Sequence, residues 1–142
     1  MKVAFATTDG RLVDEHFGRA GCFAILDFTA AGYTRLPDLV FAEGRDTVVE
    51  GSRGMGDVHD NAIERKVERL RDCRLVYLTA IGGPSAARMA RLGIMPVKVA
   101  EQTVIAEAAE RLMEQIRTAP PPWLRLALNP KTTEPRTKGE TP

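Results

Sequence analysis

The chain offers few groups able to do chemistry. It holds two histidines and two cysteines in 142 residues, so any reactive centre uses a sparse set of side chains. One histidine lies in the run Asp14-Glu15-His16-Phe17-Gly18-Arg19-Ala20. That run gathers a metal-capable imidazole, two carboxylates, a guanidinium and a glycine that permits an unusual turn. His16 is therefore the first candidate metal ligand, with Arg19 beside it as an anion partner. His59, next to an expected helix start, reads as a solvated surface residue. A second candidate is the glycine loop Thr79-Ala80-Ile81-Gly82-Gly83-Pro84-Ser85. Glycines just ahead of a helix leave backbone N–H groups free, and the helix dipole adds partial positive charge there. Gly82, Gly83 and Ser85 can thus hold an anion without a charged side chain. The loop lacks the lysine and spacing of a P-loop and is not G-x-G-x-x-G, so nucleotide binding is disfavoured. A plain tight turn closed by Pro84 is the competing reading. Cys22, six residues after His16, either reaches the same cleft as a cofactor-binding thiol or serves as a small core hydrophobe. Cys73 reads as packing.

What is missing narrows the function. No nucleophile–base pair stands at a diagnostic spacing. No ring of acidic residues suits two-metal chemistry, although Asp9, Asp14 and Glu15 lie close together in sequence. A binding protein is the better expectation than an enzyme.

The elements that must position these loops are readable from periodicity. Lys2–Thr7 is apolar on both faces and predicts a buried strand. Asp9-Gly10 turns the chain, Cys22–Phe28 predicts a second strand, and Ala31-Gly32 leads into a third within Tyr33–Phe41. Pro37 in that third run implies a sheet edge or a break in the strand. Glu43–Val58 mixes glycines with charges of both signs and predicts a mobile loop. Asp60 is placed to cap a helix running to about Arg71. Leu75–Thr79 predicts a strand, Pro84 the first turn of a helix, and Gly93 the residue just past its end. Pro96–Val99 predicts a short strand. Thr103 is placed to cap a last helix with the stripe Ile105, Ala109, Leu112, Met113 and Ile116. The order is βββαβαβα, an α/β domain with a mixed, roughly five-stranded sheet flanked by helices. Ligands of such sheets bind beyond the carboxyl ends of strands. If the first and fourth strands are neighbours, His16 and the glycine loop face one another.

Composition sets the outer limits. The chain is 44% hydrophobic and 27% charged with a net charge of +1, an ordinary globular balance that argues against a dedicated nucleic-acid binder. No apolar run approaches membrane-spanning length and the N-terminus turns polar too soon for a signal peptide, so a cytoplasmic location is expected. No C-x-x-C pair suggests a zinc or redox site. Residues 1–118 form the expected domain. Residues 119–142 hold six of the nine prolines and predict a largely disordered tail. Within it, Pro122–Leu128 carries Trp123, Leu124, Leu126 and Leu128, enough to dock on the domain or on a partner.

Four segments together carry a family resemblance. Met1-Lys-Val-Ala-Phe-Ala-Thr-Thr-Asp-Gly, Asp14–Ala20, the Thr79–Ala87 glycine loop and Gly93-Ile-Met-Pro-Val-Lys-Val resemble the NifX/NifY/NafY group of nitrogenase iron–molybdenum-cofactor biosynthesis proteins. The group includes the C-terminal domain of NifB. The likeness runs over nearly all of residues 1–118, and Trp123-Leu-Arg-Leu-Ala-Leu is similar to the chain end of the NifX branch. The resemblance implies a ribonuclease-H-like fold. It implies a non-enzymatic carrier that takes an iron–sulfur precursor of the cofactor from NifB and passes it to the NifEN scaffold. The family's histidine maps onto His16 as a candidate cluster ligand, and the resemblance assigns no role to Cys22. Such a cluster is anionic, so the amides of Gly82 to Ser85 and the Arg19 guanidinium suit it, and a single imidazole gives a releasable grip. Partners would be NifB and NifEN-type assembly proteins, without nucleic acid or membrane, for a monomer or weak dimer. Two other readings stay open. One is a metal-dependent nuclease using Asp9 and Asp14, and the other is a regulatory protein-binding module that holds no cluster.

Overall fold

The computed structural model describes residues 1–41 and 56–128, with side chains left undescribed at 56–61 and 126–128. The elements run β1 (Lys2–Ala6), β2 (Leu12–Val13), β3 (Cys22–Thr29), β4 (Gly32–Val40), α1 (Gly56–Arg69), β5 (Cys73–Leu78), α2 (Gly83–Arg91), β6 (Met95–Lys98), β7 (Thr103–Val104), α3 (Ile105–Thr118) and α4 (Pro122–Leu128).

A mixed five-stranded sheet in the order β4-β3-β1-β5-β6 forms the centre. β1 pairs antiparallel with β3 and parallel with β5, and β5 pairs parallel with β6. The central strands are apolar on both faces because both faces are covered. In β1, Val3 and Phe5 join one core cluster while Ala4 and Ala6 join the other. β5 divides in the same way, Leu75 and Tyr77 against Val76 and Leu78. α1 and α2 cover the Ala4/Ala6 face through Ile63, Val67 and Met89, with Leu70 just past the end of α1. α3 covers the other through Ile105, Ala108, Ala109, Leu112, Met113 and Ile116, which contains the whole expected stripe. Pro37 lies on β4, an edge strand, where its missing N–H costs no ladder bond. α2 ends as its sequence implies. Gly93 takes φ +78° and Ile94 N–H donates to Met89 C=O at 2.9 Å, the pairing that closes a helix through a left-handed residue.

The sequence-based expectations need four adjustments. Residues 43–55 of the expected loop lie outside the described residues, and its end already belongs to α1. That helix starts at Gly56, so Asp60 is inside it rather than at its cap. Thr103 does not cap α3. Val104 holds that position without a side-chain cap, and the Thr103 hydroxyl donates to Ala100 C=O at 2.6 Å. β2 and β7 pair with each other as a two-stranded ribbon that periodicity did not reveal, since two residues carry no period. Pro122–Leu128 docks on its own domain, with Leu124 fully buried in the α3-side core and Trp123 packed against it. Residues 129–142 lie outside the described residues.

Candidate functional site

The site begins where β1 and β5 stop pairing. Their ladder ends at Phe5↔Tyr77. The chain leaves β1 through a turn in which Thr7 Oγ1 accepts from the Gly10 amide at 2.9 Å, and Asp9 Oδ1 accepts from the amides of Arg11 and Leu12 at 2.8 and 3.0 Å. After β2 it returns and threads between the carboxyl ends of both strands. Asp14 N–H donates to Ala6 C=O at 3.3 Å, Thr79 N–H to Glu15 C=O at 3.1 Å and Phe17 N–H to Ala80 C=O at 2.9 Å. His16 and Ala80 form a parallel bridge. The expected neighbourhood of His16 and the glycine loop is therefore a backbone-bonded one.

One helical turn follows. Arg19 and Ala20 amides both donate to His16 C=O, at 3.1 and 3.0 Å. Phe17 and Ala20 are fully buried beneath it, whereas His16 and Arg19 are exposed. The imidazole thus stands on an anchored base and remains accessible. Lys66 supports that base, donating from Nζ to the carbonyls of Phe17 at 3.1 Å and Gly18 at 3.2 Å.

Beyond that bridge, Gly82 caps α2 with φ −80° and no side-chain cap bond, and Pro84 occupies the first turn. Ala86 N–H takes Gly82 C=O at 3.0 Å. The amides of Gly83 and Ser85 precede that first intrahelical bond and have no acceptor within the helix. Gly82 and Gly83 are exposed while Ser85 is buried, so the two glycines form the accessible part. Their identity has no internal cause. A Cβ at Gly83 or Gly18 would meet nothing within 4 Å, one at Gly82 only Pro84 Cδ at 3.9 Å, and none of the three has positive φ. Gly10 and Gly93 differ, with φ of +81° and +78°. The three glycines near His16 leave bare backbone facing open space.

The remaining candidates fall elsewhere. Cys22 Sγ contacts Asp38 Oδ2 at 3.8 Å, and Asp38 also receives Arg35 at 3.1 Å. Partial burial, then the Asp38 charge, raises the Cys22 thiol above its usual range. Among the described contacts none joins Cys22 to His16 or the glycine loop. Cys73 is buried in β5, and desolvation pushes its thiol to about 11. Asp14 accepts from Thr8 N–H and Oγ1 at 2.9 and 2.6 Å. The backbone amides of Arg11 and Leu12 hold the Asp9 carboxyl below the usual range. Both carboxylates serve local turns, and no group of three or more His, Cys, Asp or Glu able to hold a metal occurs among the described residues. Among those residues, too, no helix is long and apolar enough to cross a membrane.

Two groups escaped sequence reading. Lys66 occupies an apolar-stripe position, three residues after Ile63 and four before Leu70, and that misplacement of a charge was its signal. Thr79 Oγ1, at the end of β5, is buried without a hydrogen-bond partner among the described residues. A threonine ending a strand gives no such warning in sequence.

These features define a class: a small α/β domain with an exposed imidazole and a bare glycine loop at the carboxyl ends of adjacent parallel strands. The family follows. The model of the dinitrogenase iron-molybdenum cofactor family matches residues 1–115, and the chain belongs to that family. It is 38% identical to protein NifX of Sinorhizobium fredii over 128 residues, covering 90% of this chain and 78% of that one. It is 34% identical to protein NifX of Azotobacter vinelandii over 128 residues, covering 90% and 75%. The FeMo cofactor biosynthesis protein NifB of Frankia alni matches at 34% over 116 residues, 78% of this chain but 21% of NifB. Among solved structures, the apo orange protein of Desulfovibrio gigas shares the fold at TM-score 0.56 and 18% identity, covering 81% of this chain and 88% of that one. PH0822 shares it at 0.55 and 20%, covering 80% and 90%.

Proposed function

We propose that this protein takes part in iron–molybdenum cofactor biosynthesis as a non-enzymatic carrier. Its cargo is an iron–sulfur precursor of the cofactor, received from NifB and handed to a NifEN-type scaffold. His16 supplies the metal ligand. The exposed backbone at Gly82 and Gly83, ahead of the buried Ser85, and the Arg19 guanidinium surround the anionic sulfide surface. The observation that carries this reading is the His16–Ala80 bridge, which fixes the imidazole loop against the glycine loop. The open space at Gly18, Gly82 and Gly83 supports it, because a bulky cluster needs room beside the backbone. The sheet order, an antiparallel β4-β3-β1 set continued by parallel β5 and β6, supports a ribonuclease-H-like topology.

A lone protein ligand suits transfer, since a cluster held by four thiolates would be hard to release. Cys22 stays outside the donor set we propose, given its contact with Asp38. The nuclease reading has less support, because Asp9 and Asp14 already satisfy backbone amides in their own turns. A carrier of this kind works in the cytoplasm beside the assembly proteins.

Transfer is the test. The chain is loaded anaerobically with the NifB product, separated by gel filtration, and mixed with a NifEN-type scaffold lacking cluster. Iron should co-elute with the chain first and with the scaffold afterwards. Iron that never associates with the chain, or never leaves it, contradicts the carrier role.

A further inference from the structure

Lys66 is only 2% exposed, although lysine is among the residues least often enclosed. Burying an ammonium is strongly unfavourable unless hydrogen bonds replace its water. Here the replacement partners are specific. The Phe17 and Gly18 carbonyls accept from Nζ at 3.1 and 3.2 Å, and the Phe17 and Phe41 ring centroids stand 5.4 and 5.7 Å away. Phe17 and Gly18 are the two residues directly after His16. Their carbonyls lie in the single turn closed by the Arg19 and Ala20 amides on His16 C=O. Within the turn the Phe17 carbonyl also accepts from Ala20 N–H at 3.3 Å, and a cation at the carbonyl end of so short a turn is a favourable additional partner. The two aromatic faces offer the same charge a further attraction.

From this arrangement we infer that Lys66 is a positioning residue for His16. It reaches across from α1 and clamps the turn that carries the imidazole, holding it in register with Ala80 and the start of α2. It acts through the backbone and does not touch the cargo. A methionine would fill the same volume, so packing alone does not call for lysine. The effect on cargo rests on His16 being the ligand, whereas the effect on the turn does not.

The experiment uses the full chain and two variants, Lys66→Met and Lys66→Arg. Amide hydrogen exchange is followed by NMR in the protein without cargo, at Arg19 and Ala20 and at reference amides Val76 and Leu112. Lys66→Met should speed exchange at Arg19 and Ala20 about tenfold, as loss of a charge-assisted bond implies, and leave the references within about twofold. Lys66→Arg should recover most of the protection. The dissociation constant for the NifB iron–sulfur product should rise about tenfold in Lys66→Met and largely return in Lys66→Arg. Unchanged exchange at Arg19 and Ala20, or an equal rise at all four amides, overturns the inference. If Lys66→Met does not fold, Lys66→Arg decides alone. Its larger guanidinium should shift the His16 ring resonances and the Arg19 and Ala20 amides, and no movement there overturns the proposal. Should the exchange pattern appear while even the parent fails to bind the product, the clamp stands and the carrier reading falls.

Discussion

Two thiols in one chain are set apart by their surroundings. Cys73 is buried in β5 with its thiol raised to about 11, so almost none of it is thiolate near neutral pH. Cys22 is partly exposed, and its thiol is raised by burial and by the Asp38 charge. Alkylation by iodoacetamide at pH 8 should therefore label Cys22 and spare Cys73 in the folded protein. Asp38→Asn removes a negative charge beside Cys22 Sγ, which lowers the thiol's pKa, enlarges the thiolate fraction and should accelerate labelling about threefold. Mass spectrometry of the labelled peptides reads both outcomes, and equal labelling of the two cysteines would contradict the assignment. At this scale the sequence spoke unevenly. His16 stood out because its neighbours combine several chemistries in one loop. Cys22 was ambiguous, since a strand-initial cysteine can face either side, and its Asp38 contact depends on the β3–β4 register. Lys66 was hidden, because a lysine in an apolar stripe reads as a flaw in the stripe until its carbonyl partners, nearly fifty residues away, are seen.

The glycines test how elements divide between folding and function. Gly93 closes α2 at φ +78°, and a Cβ there would meet Arg74 Nη1 at 3.3 Å. Gly93→Ala should cost about 1–2 kcal/mol of stability, measured by urea unfolding. Gly83, at the start of α2, has ordinary φ and open space. Gly83→Ala should stabilise the protein by about 0.4–1 kcal/mol through loss of unfolded-state freedom, yet weaken cargo binding by covering bare backbone. A Gly83→Ala variant that both gains stability and binds the cluster as tightly as the parent would remove the glycine loop from the site. The strands and helices that frame these loops were legible from sequence, because apolar runs and 3.6-residue stripes extend over many positions. Pro37 marked an edge or a break, and the sheet order makes β4 an edge strand. The β2–β7 ribbon was not legible, and neither was the threading of residues 14–17 between β1 and β5. Both depend on backbone bonds between segments distant in sequence, such as Ile105 N–H to Arg11 C=O at 2.8 Å.

For the molecule as a whole, α4 joins the core although it follows a proline run. Leu124 of α4 is fully buried in the α3-side core. Leu124→Ala should cost about 2–4 kcal/mol in urea unfolding, in the range of buried leucine truncations. A loss below about 0.5 kcal/mol would mean that α4 does not dock in solution. The net charge of +1 makes bulk electrostatic steering weak. The two core faces and the five-stranded sheet anchor the loop from which His16, the sole metal ligand we propose, stands exposed. The most direct measurement is iron bound per chain after anaerobic loading with the NifB product and gel filtration, for the parent and for His16→Ala. Stoichiometric cluster is expected on the parent and at least about tenfold weaker retention on His16→Ala, with circular dichroism showing an unchanged fold. Equal iron on both proteins would contradict the role proposed for His16.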